Sequence, residues 1–332
     1  MRTLVTASVV AAASLALATG CQAPDAAQPA QTATPTTPSS TAFPVTLKHP
    51  GGETTIDKAP ERIVVLDMAA LDTIDAIGAG EKVVGTTVQS LPEWLKDNKG
   101  VDYSKVTNVG SLKEPDVEAI ASLDPDLVVV ASRSASLYGE LSKKWTTIDA
   151  TATWDSENYT KEATDAIKLL GDATGHADEA SKAAAAIDDK IKKYKDSASN
   201  LGKAAVIMTN GGEISLHGPK SRWAPIFDVF GFTPVTLDDQ GADQGHKGKK
   251  LSFETLADLN PDWIFVVDRD AAVGKGTQGA SAKEVLNNDL VNATKAAKDG
   301  HIVYLDPVRW YIVMTGASNY PAELDEIAAA IR

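Results

Sequence analysis

The 332-residue sequence contains one cysteine, Cys21, so no intrachain disulfide can form and the fold must rest on packing. Positive charge is in the minority. The 32 lysines and arginines stand against 45 aspartates and glutamates, giving a formal net charge of -13 and a pI near 4.9, a balance that repels nucleic acid. The five histidines are scattered and show no zinc-ligand spacing. There is no GxSxG elbow, no Walker loop and no HExxH, which leaves an enzyme little to build on. The apolar run from Leu4 to Ala18 is rich in alanine and shorter than the roughly twenty residues a bilayer core demands. With Arg2 before it and small residues after it, this is the layout of a secretory signal rather than of a membrane span. What the chain does have is core-forming material, 43% hydrophobic residues at a mean hydropathy of -0.14, enough for two soluble α/β domains.

A sixteen-residue pattern occurs twice, EAIASLDPDLVVVASR from Glu118 to Arg133 and ETLADLNPDWIFVVDR from Glu254 to Arg269, with seven identities and no gap. Matches of that density, about one domain length apart, point to two equivalent structural units. Each copy predicts a short helix opening on an N-cap residue, Asp116 or Ser252, and turning Val117, Ile120 and Leu123, or Phe253, Leu256 and Leu259, inward. A DPD or NPD turn follows, then LVVV or WIFVV, continuous apolar runs that suit parallel strands buried on both faces. Each strand ends at an arginine. Ligands of open α/β sheets gather outside the carboxyl ends of the strands, so Arg133 and Arg269 are candidates to line one cleft from opposite sides, and paired cations imply an anionic ligand. Glu118 and Glu254 occupy equivalent first-turn positions that the topology brings to the same rim, where they serve either the helix dipole or a docking partner.

Ala18-Thr19-Gly20-Cys21 resembles a bacterial lipoprotein cleavage box, with Ala18 where leucine is commoner, and this makes Cys21 a candidate lipidation site. The expected organisation is a signal peptide at 1–20, the lipidated cysteine and a disordered tether at 21–42, an N-terminal α/β lobe at 43–163, a helical connector at 164–202 and a C-terminal α/β lobe at 203–332. The tether mixes Pro, Thr, Ala, Ser and Gln without apolar periodicity and cannot offset its ordering entropy by burial. Some twenty such residues span about 25 Å root-mean-square. From Ala177 to Asn200, Ala183, Ile187, Ile191 and Tyr194 form one stripe of a helix about 35 Å long, a strut that would hold lobe closure to a modest rocking motion.

Cleavage box, tether, twin lobes and a single connecting helix together resemble the substrate-binding lipoproteins that feed ABC importers of iron chelates and cobalamin. The strings VVLDMAALDTIDAIG, NGGEISLHGPKSRWAPIFDVFGF, IFVVDRDAAVG and IVYLDPVRWY are similar to the branch that binds ferric catecholate siderophores of the petrobactin and enterobactin type. The resemblance covers nearly all of Phe43 to Arg332. It implies a class III periplasmic-binding-protein fold, α/β, with two Rossmann-like lobes joined by one long α-helix. It implies a monomeric receptor, lipid-anchored to the outer face of the bacterial cytoplasmic membrane, that captures a ferric catecholate siderophore and delivers it to an ABC permease. Such a receptor does no covalent chemistry and carries no intrinsic cofactor, since ferric iron arrives as part of the cargo. The same fold can carry a hydroxamate chelate, haem or cobalamin.

The resemblance carries three ligand-binding arginines over to Arg133 in ASRSASLYGE, Arg222 in GPKSRW and Arg269 in DRDAAVG. Guanidinium suits the task, offering permanent charge, several donors and a flat face for aromatic rings. A histidine and a tyrosine that complete the iron shell when a chelate has too few donors correspond to His246 and Tyr311; the loop GHKGKKLSFE is one residue longer than in the family. Glu118 and Glu254 correspond to the acidic residues, one per lobe, through which related proteins dock on a permease. Trp223 and Trp310 adjoin these positions, Met68 stands where relatives often have tyrosine, and Arg309 adds a cation beside the site.

Overall fold

The computed structural model describes residues 42–96, 100–154, 158–198, 201–237, 248–274 and 280–332. Cys21, the signal and tether segments, and His246 lie outside the described residues.

A short antiparallel hairpin comes first, β1 (Val45–His49) and β2 (Gly52–Ile56), fastened to the neighbouring sheet by a hydrogen bond from Thr54 Oγ1 to the Thr147 carbonyl at 2.7 Å. Five parallel strands follow: β3 (Ile63–Val65), β4 (Val83–Thr86), β5 (Thr107–Asn108), β6 (Leu127–Val130) and β7 (Thr147–Asp149). Their spatial order is β5-β4-β3-β6-β7. The chain winds outward in both directions from β3 and β6, so the gap between the carboxyl ends of these two strands is a topological switch point. Strands this short are stable because both faces are covered. Val65 packs with Leu71 and Ile74 in one core cluster, while Val64 and Val128 pack with Ile120 and Leu141 in another.

The second sheet is built from β8 (Lys203–Asn210), β9 (Glu213–His217), β10 (Thr233–Pro234), β11 (Lys249–Leu251), β12 (Trp263–Asp268) and β13 (Ile302–Tyr304). The order is β11-β9-β8-β12-β13, with β10 on the start of β8. Strands β8, β12 and β13 run parallel, whereas β9 and β11 add an antiparallel edge. The register sets Asp268 of β12 against Thr209 of β8, which places Arg269 next to Asn210.

The duplicated pattern folds as two equivalent units. Helices Val117–Ser122 and Phe253–Leu259 are capped by Asp116, whose Oδ1 accepts from the Glu118 and Ala119 amides at 3.0 Å, and by Ser252, whose Oγ accepts from the Thr255 amide at 3.1 Å. Both turns use a left-handed residue, Asp124 at φ 44° and Asn260 at φ 41°, a conformation that short polar side chains tolerate best.

Helix Tyr159–Thr174 closes at Gly175, φ 80°, and the chain doubles back into helix Ala177–Ser197. A methyl group on Gly171 would stand 2.2 Å from the Ala180 Cβ, so the two helices touch backbone to side chain there. The buried stripe of the longer helix is Ala180, Ala184, Ile187 and Ile191, with Ala183 and Tyr194 half-buried beside it. Its far end is fixed to the final helix, Asn319–Ala330, where Lys190 Nζ and Tyr194 Oη both donate to the Asp325 carboxylate at 2.5 Å.

A second link runs directly between the halves. Asp72, on helix Met68–Ala76, is fully buried and accepts from the Ser318 amide at 2.8 Å, the Asn319 amide at 3.0 Å and Trp94 Nε1 at 3.0 Å. A carboxylate from the first half thus caps the last helix of the chain. Arg309 lies over the Trp94 ring at 4.3 Å and donates to Asn319 Oδ1 at 3.1 Å, so it belongs to this seam. The molecule is an α/β protein of two Rossmann-like lobes joined by a long helix.

Candidate functional site

Ser132, at φ 48°, gives its amide to Thr151 Oγ1 at 2.8 Å, and Ser134 Oγ accepts from the Ala131 amide at 3.1 Å. This tight turn projects Arg133 from the carboxyl end of β6. Arg269 needs no turn, because it is the first residue of helix Arg269–Ala272, capped by Asp268 through the Ala271 amide at 2.9 Å. Tyr311 lies in a π-helical turn, Val308–Val313, that ends at Met314 with φ 63°. Such turns are rare and recur at functional sites.

Three of the predicted cations meet at the Tyr311 ring. The guanidinium carbons of Arg222, Arg133 and Arg269 lie 5.0, 5.2 and 5.8 Å from its centroid. Arg269 Nε donates to Tyr311 Oη at 3.0 Å, and Arg269 Nη1 to Asn210 Oδ1 at 2.7 Å. Arg133 instead crosses to the other lobe's backbone, donating through Nη2 to the Tyr311 carbonyl and through Nη1 to that of Ile312 at 3.3 Å.

A cavity of about 920 Å³ opens above this cluster, lined by Lys113, Ser132 and Arg133 from the first lobe and by Met208, Asn210, Glu213, Lys250, Arg269 and Tyr311 among others from the second. Arg222 does not line it. Only 5% exposed, it sits behind Tyr311 with the rings of Trp154 and Trp223 at 5.1 and 5.4 Å.

The crowding of charge shows in the titrating groups. Burial, then the Arg133 charge, pushes Arg222 down to about 10, so it stays protonated at neutral pH. Burial opposes ionisation of Tyr311, but the Arg269 hydrogen bond and the three guanidinium charges outweigh it and hold the phenol below its ordinary value. Asp67, the buried cap of helix Met68–Ala76, is pushed up to about 6 by burial, against the pull of the Ala70 amide, the Arg133 charge and the Ala69 amide.

Glu118 and Glu254 are exposed in the first turns of their helices. A shallow depression at Glu254 shares Glu213, Ile214 and Lys250 with the cavity. Trp223 and Trp310 are packing residues: the first stands edge-on to His217 at 4.2 Å, the second donates through Nε1 to Glu326 Oε2 at 2.7 Å, and neither lines the cavity. Met68 is buried in the core. Four residues that the sequence did not single out join the site: Lys113, Lys250, Asn210 and Trp154. Only Asn210 had a legible signal, since it ends the strand that pairs with β12.

The family model described as periplasmic binding protein matches residues 63–308. The petrobactin-binding protein YclQ of Bacillus subtilis is 36% identical over 286 residues, covering 85% of this chain and 87% of that protein. The ferric-anguibactin-binding protein FatB of Vibrio anguillarum is 30% identical, covering 98% and 97%. Among solved structures, the periplasmic catecholate-siderophore binding protein VctP of Vibrio cholerae superposes with a TM-score of 0.75 at 32% identity, over 86% of this chain and 98% of that one.

Proposed function

The chain belongs to the periplasmic binding protein family, and from that premise we propose that it captures a ferric catecholate siderophore in the cleft above Tyr311 and delivers it to an ABC permease. The observation that carries this reading is the convergence of Arg133, Arg222 and Arg269, from both lobes, on one phenol at the base of one cavity. A ferric catecholate is multiply negative and presents oxygen acceptors on flat rings. Guanidinium matches all three properties, whereas lysine matches only the charge. The name of VctP points to the same ligand class.

Lys113 and Lys250 extend the positive lining toward the mouth, with Lys250 tempered by Glu213 at 2.6 Å. Tyr311, with its acidified phenol, and His246 are the protein's own donors for a chelate that leaves positions on iron open, since iron(III) takes phenolate and imidazole. Cargo capture in this reading involves no covalent step, and the receptor acts as a monomer. Cys21 anchors the receptor to the outer face of the membrane, and Glu118 and Glu254 meet the permease, one from each lobe.

Tryptophan fluorescence tests the reading, because the Trp154 ring lies against Arg222 at the base of the site. Titration with ferric catecholate, ferric hydroxamate, haem and cobalamin should show saturable quenching at micromolar concentration or below for the catecholate alone. Tight binding of any of the others with none of the catecholate would sink the assignment.

A further inference from the structure

We propose that Tyr311 is an internal competitor for the arginine site: its side chain covers the guanidinium surface that an aromatic anion needs, and cargo binds by displacing it. The inference rests on the proposed function and adds a mechanism of selection to it. A tyrosine side chain is half of a catechol, a ring carrying one oxygen acceptor. Here the ring lies within 5.0 to 5.8 Å of all three guanidinium carbons, and its oxygen accepts from Arg269 Nε at 3.0 Å. A bound catecholate would draw on the same donors and faces. The burial of Arg222 follows from the same arrangement, since a cation at 5% exposure beneath a phenol ring cannot touch cargo until that ring turns.

The surrounding contacts restrict how Tyr311 can move. Its backbone is held from two sides, with the carbonyl accepting from Arg133 Nη2 and from Arg222 Nη1 at 3.5 Å, and the next carbonyl accepting from Arg133 Nη1 at 3.3 Å. The flanking Trp310 and Ile312 are buried, and Trp310 is tied to Glu326 at 2.7 Å. Displacement is therefore rotation about the side-chain bonds rather than movement of the turn. That rotation opens Arg222 and the Trp154 ring behind it, deepening the pocket by one cation and one aromatic face. Weak or singly charged anions fail to displace the phenol. A chelate whose iron has open positions regains the phenol as a donor, whereas one with iron already saturated does not.

The test titrates wild type, Tyr311→Phe and Tyr311→Ala by tryptophan quenching with two probes, the ferric complex of a hexadentate tris-catecholate and that of a tetradentate bis-catecholate. Tyr311→Ala should bind the hexadentate complex about tenfold tighter than wild type, the scale of one charge-assisted hydrogen bond that no longer has to be surrendered. Tyr311→Phe keeps the ring and its packing, loses only the oxygen, and should fall between the two, so it decides the matter even if the alanine variant folds poorly. Both variants should bind the tetradentate complex more weakly than wild type. Hexadentate affinity unchanged or lowered in both variants overturns the competitor role and leaves the receptor function standing; a wild type that binds neither probe removes the premise itself.

Discussion

Arg133 and Arg269 close the two copies of one sequence pattern, yet they are wired differently. Arg269 bonds within its own lobe, to the side chains of Asn210 and Tyr311, and follows β12 straight into a helix. Arg133 comes after a shorter strand and a left-handed Ser132, and it reaches across the cleft to backbone carbonyls of the opposite lobe. The shared pattern specifies cap, turn and strand; what differs is the step into the arginine, Ala131-Ser132 in one copy and the last strand residues Val267-Asp268 in the other. One arginine is thus tied only within its own lobe, and the other fastens the halves together.

Alanine substitution separates the two roles. Either Arg133→Ala or Arg269→Ala should weaken ferric catecholate binding by roughly ten- to a hundredfold, the value of one or two charged hydrogen bonds. Arg133→Ala should also lower unfolding stability by about 1–3 kcal/mol, more than Arg269→Ala does, because the carbonyls of Tyr311 and Ile312 lose a donor from the other lobe. Equal stability losses in urea unfolding would erase the distinction.

Next in size is the contrast between caps supplied locally and the cap supplied across the seam. Ser252→Ala should cost about 1 kcal/mol, the usual value of an exposed N-cap. Asp72→Ala orphans two amides of the final helix and the Trp94 indole, all buried or partly buried, and should cost about 2–3 kcal/mol by the same unfolding measurement. The smallest effect on the isolated protein concerns the rim carboxylates. Glu118→Lys combined with Glu254→Lys should leave chelate affinity unchanged while abolishing cellular uptake; full uptake by that double variant would end the docking role.

Much of this scaffold was legible in advance because it depends on local rules. The N-caps Asp116 and Ser252, the left-handed turn residues and the buried strands all follow from patterns a few residues long, and the repeat shows them twice. Arg133 and Arg269 were legible for a topological reason, the position of both at the carboxyl ends of buried strands, whereas Arg222 came only from the family resemblance. What sequence could not show depends on contacts between distant residues. Trp154 meets Arg222 only after the chain has crossed between lobes, Arg309 turns from the site to stack on Trp94, and the seam joins Asp72 to Ser318. The same limit hid the position of Tyr311 over Arg222, since a family pattern names both residues without saying that one screens the other.

Gly171 has a reach beyond its own turn. The helix that starts at Ala177 is braced at Ala180 against this glycine, and its anchorage on Asp325, made by Lys190 and Tyr194, lies about 15–20 Å further along the rod. Adding one methyl at position 171 would force the near end outward, and a rod fixed at its other end answers such a push by pivoting. The seating of the connecting rod is in this sense gauged by a missing carbon atom.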